Sequence, residues 1–115
     1  FFVPGQRHVQ IKLGGDSIAP GICFESLQPS HISSAVHAGA TVYAASVAKP
    51  AARMAGAHDH YAAMAAKHRT PVLLANAVGR NAEFSSGGRS AAWSSDGSRL
   101  ACLEDADPGE LIVEL

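Results

Sequence analysis

The chain has 115 residues, a net charge of −1, 47% hydrophobic and 17% charged residues, and two cysteines. That is the size of one ordinary domain with enough apolar material for a core, which excludes an intrinsically disordered chain. The near-neutral balance argues against electrostatic binding of nucleic acid or of an anionic membrane, and no apolar run approaches the roughly 20 residues that cross a bilayer.

The chain starts with "FFVPGQRHVQ", which has neither an initiator methionine nor the cationic start and long apolar stretch of a signal peptide. A fragment or a processed product is therefore expected. Val9, Ile11 and Leu13 alternate as in a half-buried strand that ends at the Gly14-Gly15-Asp16 turn. "IAPGICF" reads as a second strand, with Pro20-Gly21 marking a bulge or an edge. Pro29 suits the first turn of a helix whose inner face is Ile32, Ala35, Val36 and Gly39, with Ser30, Ser33, Ser34 and His37 outward. Gly39 is placed to end it. "ATVYAAS" reads as a buried strand.

The alternation then repeats. "AGAHDHYAAMAAKHR" predicts a helix with Ala57, Tyr61, Met64, Ala65 and His68 along a narrow stripe. "TPVLLANAVG" reads as an apolar strand ending at Asn76, and "NAEFSSGG" as a loop. Three short strands are expected in "RSAAWSS", "RLACLED" and "ELIVEL", the first two joined by an Asp96-Gly97 turn. Strand, helix, strand, helix, strand and then several strands predict an α/β fold with a mixed sheet.

Cys23 closes an apolar strand and is followed by Phe-Glu-Ser and a helix-opening proline. A thiol at such a turn meets N–H groups that stabilise a thiolate, and the N–H of Phe24 would face a developing oxyanion. The alternative is a buried bystander, since free cysteine is among the most buried residue types. Cys102 lacks a comparable turn and reads as core. The two cysteines form no metal-type pair, and a reduced cytoplasmic protein is expected rather than a disulfide-linked one.

Six histidines invite a metal reading. His58 and His60 are two apart, which puts them on different faces of a helix, and His31, His37 and His68 have no pairing spacing. Most of them read as solvated, and neither a metal nor a cofactor is expected. Arg53, Lys67, Arg69, Arg80 and Arg89 are scattered among neutral residues and read as a solvated face, while Tyr61 and Trp93 read as core or interface.

"GICFES" with Pro29, then "HAGATVYAAS", "PVLLANAVG", "SSGGRSAAWSSDG" and "PGELIVEL", resemble in order and spacing the C-terminal half of the carbon–nitrogen hydrolase (nitrilase/amidase) superfamily. The likeness spans about residues 18–115. It implies part of an α-β-β-α sandwich with a mixed sheet, the chain 1–115 being a single partial domain whose second layer comes from elsewhere. It also implies hydrolysis of a small amide or nitrile by a Glu-Lys-Cys set, with Cys23 as nucleophile and the Phe24 N–H as oxyanion donor. Ser46, Val47, Ala48, Lys49 and Asn76 would lie near substrate, and Glu25 would support the turn by accepting backbone N–H bonds.

In the family both the glutamate and the lysine precede the cysteine. No glutamate precedes Cys23 here, and Lys12 is too close to it and lacks the context of the family lysine. The expectation is a hydrolase inactive as this segment alone, paired with a second copy or with its own N-terminal half. A non-catalytic binding module of the same fold, or an acyltransferase of the superfamily, are the alternatives.

Overall fold

The computed structural model describes residues 9–80, 85–103 and 109–115. A Gly14-Gly15 turn joins β1 (Ile11–Leu13) to β2 (Asp16–Ile22), and the two pair antiparallel. A 3-10 turn, Cys23–Leu27, leads into α1 (Pro29–His37), followed by β3 (Val42–Val47). A second 3-10 turn, Ala51–Arg53, opens α2 (Met54–His68), which returns to β4 (Val72–Asn76). The short strands β5 (Val78–Arg80), β6 (Ser85–Gly87), β7 (Ala91–Trp93) and β8 (Arg99–Cys102) complete the chain.

One six-stranded sheet, in the order β1-β2-β3-β4-β7-β8, organises the fold. Three adjacent inner strands, β2, β3 and β4, run parallel, with Ile22 opposite Ser46 and Ser46 opposite Ala75. The outer pairings are antiparallel. Strand β2 runs unbroken through Pro20-Gly21. Its pairing with β1 stops at Ile18, so the proline stands where β2 has β3 as its remaining partner.

Both helices cover one face of the sheet. Ala19, Tyr43, Ala45, Val72, Leu74 and Trp93 point into it and meet Ile32 and Ala35 of α1 and Met54, Ala57, Tyr61 and Ala65 of α2. Period-two burial in the strands thus joins period-3.6 burial in the helices in one core. α1 starts on Pro29 and ends where Gly39, at φ +100°, lets its N–H reach Val36 O (3.0 Å) while Ala40 N–H reaches Ala35 O (3.0 Å). This paired closure needs a left-handed residue at Gly39.

The structure departs from the sequence reading at four places. Val9, Ile11 and Leu13, read as a half-buried strand, are exposed, because β1 is an edge strand that neither helix covers. Residues 85–87, within the segment read as a loop, form β6, which pairs with β5 as a hairpin; residues 81–84 lie outside the described residues. "ELIVEL" is not a strand. Leu111 and Val113 instead lie over the sheet face away from the helices, where they and Ala44, Leu73, Ala92 and Leu103 line a cavity of about 390 Å³. His58 is buried in the core side of α2 rather than solvated, and His31, His60 and His68 are half-buried.

Candidate active site

The carboxyl ends of the three parallel strands lie side by side, where ligands of open α/β sheets commonly sit. Cys23 begins the turn directly after β2 with φ +50°, a left-handed conformation that a non-glycine residue adopts at a cost. Its side chain is exposed and lines a groove of about 290 Å³ together with Phe24, Leu27, Val47, Ala48, Lys49 and Arg53. Phe24 is 74% exposed beside it.

Hydrogen bonds from three elements hold this turn. The N–H of Ile22 donates to Glu25 Oε2 at 2.8 Å, and Glu25 Oε1 lies 3.3 Å from His31 Nε2 on α1. The other ring nitrogen of His31 is 2.7 Å from the Tyr43 hydroxyl on β3. Ser26, almost fully buried, donates to the carbonyl of Cys23 at 2.7 Å, and its oxygen is 2.6 Å from the Tyr61 hydroxyl on α2. The single Ser26 proton goes to the carbonyl, so Tyr61 donates to Ser26. Burial pushes both phenols above their ordinary range, and for Tyr43 the nearby Tyr61 and Glu25 add to it. Both tyrosines therefore keep their protons under the turn, Tyr61 as a donor to Ser26.

The adjoining loop is held by Asn76, the last residue of β4, which is 7% exposed. Its Oδ1 accepts from Lys49 N–H at 2.8 Å, and its Nδ2 donates to Lys49 O at 3.1 Å and to Gly88 O at 2.8 Å. The N–H of Asn76 donates to Ser90 Oγ at 2.9 Å, and that of Gly87 to Lys49 O at 2.7 Å. A β-carbon on Gly87 would come 2.5 Å from the backbone of Ala51, so only glycine allows these loops to meet so closely.

The fold thus brings Cys23, Phe24, Val47, Ala48 and Lys49 into one groove. It does not bring Ser46 there: that side chain is exposed and alternates onto the other sheet face. Asn76 does not line the groove either and reaches it through the backbone of Lys49. Arg53 does line it, although its sequence context suggested only a solvated cation. Cys102 is half-buried on β8 and is, like Cys23, a free thiol. Among the described residues no group of three or more His, Cys, Asp or Glu side chains could hold a metal ion. None of the described helices is long and apolar enough to cross a membrane.

The His31–Tyr43 and Ser26–Tyr61 pairs escape a reading of spacing. Tyr43 and Tyr61 are legible as apolar core positions, but their hydroxyl partners come from elsewhere in the chain. The one available signal is the polar end that a buried tyrosine must satisfy.

Comparison with known proteins follows the same lines. A family model described as carbon-nitrogen hydrolase matches residues 1–115. A search of curated proteins finds no match. Among solved structures, a glutamate-to-glutamine mutant of the amidase of Nesterenkonia sp. AN1, showing covalent addition of the acetamide moiety of fluoroacetamide at its active-site cysteine, superposes with a TM-score of 0.84 at 22% identity. That match covers 94% of this chain and 41% of the amidase. A mutant of the same amidase in complex with butyramide matches with a TM-score of 0.84 at 21% identity, over 94% of this chain and 41% of that one. The glutamine-dependent NAD+ synthetase of Acinetobacter baumannii, in complex with ADP, matches with a TM-score of 0.86 at 13% identity, over 94% of this chain and 21% of the synthetase. The chain spans about two fifths of the length of the amidases it matches.

Proposed function

The chain belongs to the carbon–nitrogen hydrolase family, and on that premise we propose that it is the C-terminal portion of a hydrolase domain that cleaves small amides through Cys23. The observation that carries the reading is the placement of Cys23. It sits in a left-handed turn at the end of the central parallel strands, exposed to a groove, with its carbonyl and the preceding N–H tied down by Ser26 and Glu25. The acetamide-bearing cysteine of the Nesterenkonia amidase supports the same chemistry by analogy.

In the proposed reaction a glutamate from the preceding part of the protein takes the Cys23 proton, and Sγ attacks the amide carbon. The Phe24 N–H and an upstream lysine stabilise the tetrahedral oxyanion. The C–N bond breaks as the leaving nitrogen receives the proton, which releases ammonia and leaves a thioester on Cys23. Water then attacks the thioester, giving the carboxylic acid and restoring the thiol. Glu25, engaged with Ile22 and His31, has the structural part. The sheet face that carries Ala44 and Leu73 is proposed to pack on the preceding half of the protein or on a second copy, and the two free thiols suit a reducing cytoplasm.

The test is ammonia release from butyramide by the complete protein that contains this chain, together with fluoroacetamide labelling read by mass spectrometry. Turnover that is lost in Cys23→Ala, with the label on Cys23, supports the proposal. Turnover that survives Cys23→Ala ends it.

A further inference from the structure

Two cations stand beside the nucleophile, and among the described residues no anion pairs with them. Lys49 and Arg53 line the groove of Cys23, and both also line an adjoining groove of about 380 Å³ that runs along the start of α2 past Ala52, Gly56 and His60. Among the described residues neither groove is lined by an aspartate or a glutamate. Among the described residues neither Lys49 nor Arg53 forms an ion pair, and the pairing seen is that of Glu25 with His31.

The local backbone adds to the same sign. Arg53 is the cap residue of α2, no side chain caps that helix end, and its first turn contains no acidic residue. Helices usually carry aspartate or glutamate at this end, where the dipole is positive. Here an arginine takes that place, so two side-chain charges and the helix end favour the same kind of guest. Arginine in addition offers a planar fork of N–H donors that matches a carboxylate.

The position is held as well as charged. Asn76 binds both backbone groups of Lys49, and Gly87 donates to the same carbonyl, so the residue that carries the ammonium is fixed relative to Cys23. Arg53 closes the 3-10 turn that follows, its N–H bonded to Pro50 O at 3.0 Å. Apolar Leu27, Val47 and Ala48 line the same groove as the thiol, and the two cations stand where that groove adjoins the second one, which Cys23 does not line. A nucleophile, apolar walls and positive charge where the groove continues fit a short aliphatic amide with a carboxylate at its far end.

We propose that Lys49 and Arg53 form a carboxylate-binding subsite that selects, among small amides, those with an anionic group opposite the scissile bond. The inference rests on the reading of Cys23 as the nucleophile and adds to it the chemical class of the substrate. The reaction is unchanged: amide plus water gives ammonia and the acid, here a dicarboxylate.

The experiment compares butyramide with succinamate, a chain of the same length that ends in a carboxylate, using the complete protein and an ammonia-release assay. The expected result is a kcat/KM for succinamate on the order of tenfold to a hundredfold above that for butyramide, the usual range for a charge-assisted contact, expressed mainly in KM. Added salt should shrink the ratio. Arg53→Gln and Lys49→Gln should each lower it. Arg53→Glu should move the preference toward 4-aminobutyramide, whose far end is cationic, a response that loss of structure alone would not produce. Cys23-dependent hydrolysis with a ratio of one or below, or a ratio unmoved by Arg53→Gln and Arg53→Glu, overturns the subsite and leaves the amidase reading standing. Absence of ammonia from both amides, or release that survives Cys23→Ala, overturns the nucleophile reading and this inference with it.

Discussion

The hydroxyl of Tyr43 occupies the space that a β-carbon on Gly21 would fill. That carbon would overlap the hydroxyl oxygen and lie 2.6 Å from Cζ. The close approach across β2 and β3 is what lets Tyr43 reach His31, and through it Glu25 under the turn of Cys23. Gly21→Ala should therefore cost about 1–3 kcal/mol by overpacking and also lower activity by displacing the phenol. Tyr43→Phe removes the oxygen but keeps the ring, so the double variant should regain only part of the loss. Thermal unfolding of the three variants in the complete protein checks this, and a Gly21→Ala protein as stable as wild type would refute it.

Asn76 carries a second prediction. Its amide satisfies Lys49 N–H, Lys49 O and Gly88 O in a buried site, with the Met54 sulfur 3.2 Å from Nδ2. Asn76→Ala strands those groups at a cost of roughly 1–3 kcal/mol and frees the loop that carries Val47, Ala48 and Lys49. Asn76→Asp should do more harm, because two carbonyl oxygens would then face a carboxylate where they now accept N–H bonds. Urea midpoints should fall in the order wild type, Ala, Asp, and kcat/KM for butyramide should fall with them. An Asn76→Asp variant with normal stability would contradict this account of the loop.

Much of this arrangement is legible in the sequence. The Gly14-Gly15 turn, the Pro29 start, the Gly39 stop and the apolar runs around Tyr43 and Leu74 each point to the element that forms, because local geometry and burial period agree there. Cys23 is legible for the same reason, as the last residue before a turn. The misses share a different cause. Ser85–Gly87 has no apolar residue, so its strand character comes wholly from backbone pairing with β5. "ELIVEL" has the apolar and β-branched residues of a strand, but Leu111 and Val113 are used against a sheet face rather than an edge, and Ile112 and Leu115 stay exposed. Arg53 looks like one scattered cation in the sequence, and its place beside Cys23 is set by the turn before α2.

His58 shows the same limit and yields a prediction about pH. The ring is buried edge-on to Trp93 at 5.1 Å, with Nε2 2.9 Å from Arg89 O and, among the described residues, no partner for Nδ1. Burial is the first cause that lowers its pKa below the ordinary 6.5; the charges of Arg89 and Arg99 act in the same direction, and the hydrogen bond to Arg89 O and the charge of Asp59 offset only part of it. His68 is lowered too, by burial and by Lys67. The folded state thus disfavours the proton that the unfolded chain accepts near 6.5. Stability from these rings is fully present above 6.5 and is lost as pH falls from there toward the depressed values. Asp96, held at about 2 by Ser94 and Ser98, begins to lose its share only below the ordinary 3.8 and leaves the window from 7 to 5 undisturbed. Urea midpoints should drop between pH 7 and 5, and His58→Gln, which keeps a donor for Arg89 O, should flatten the slope. A wild-type midpoint constant over that range would sink the idea.

The two thiols give the last prediction. Cys23 is exposed on its groove, while Cys102 is half-buried on β8, with its sulfur 3.2 Å from the carbonyl of Leu103. Access governs alkylation of a folded protein, so iodoacetamide should mark Cys23 well before Cys102 under native conditions. In denaturant the two rates should converge, since the difference belongs to the fold. Ser26→Ala separates access from catalysis. It removes the bond to Cys23 O, leaves the Tyr61 hydroxyl without its acceptor and loosens the left-handed turn, yet leaves the thiol exposed. Cys23 should then alkylate at a similar rate, while amide turnover falls about tenfold or more as the nucleophile loses its alignment. Peptide mapping of the alkylated protein beside an ammonia-release assay reads both quantities on one preparation. If Ser26→Ala leaves turnover intact, the hydrogen bonds beneath the turn do not position the nucleophile. If Cys102 is labelled first, Cys23 is not the open thiol that the groove requires.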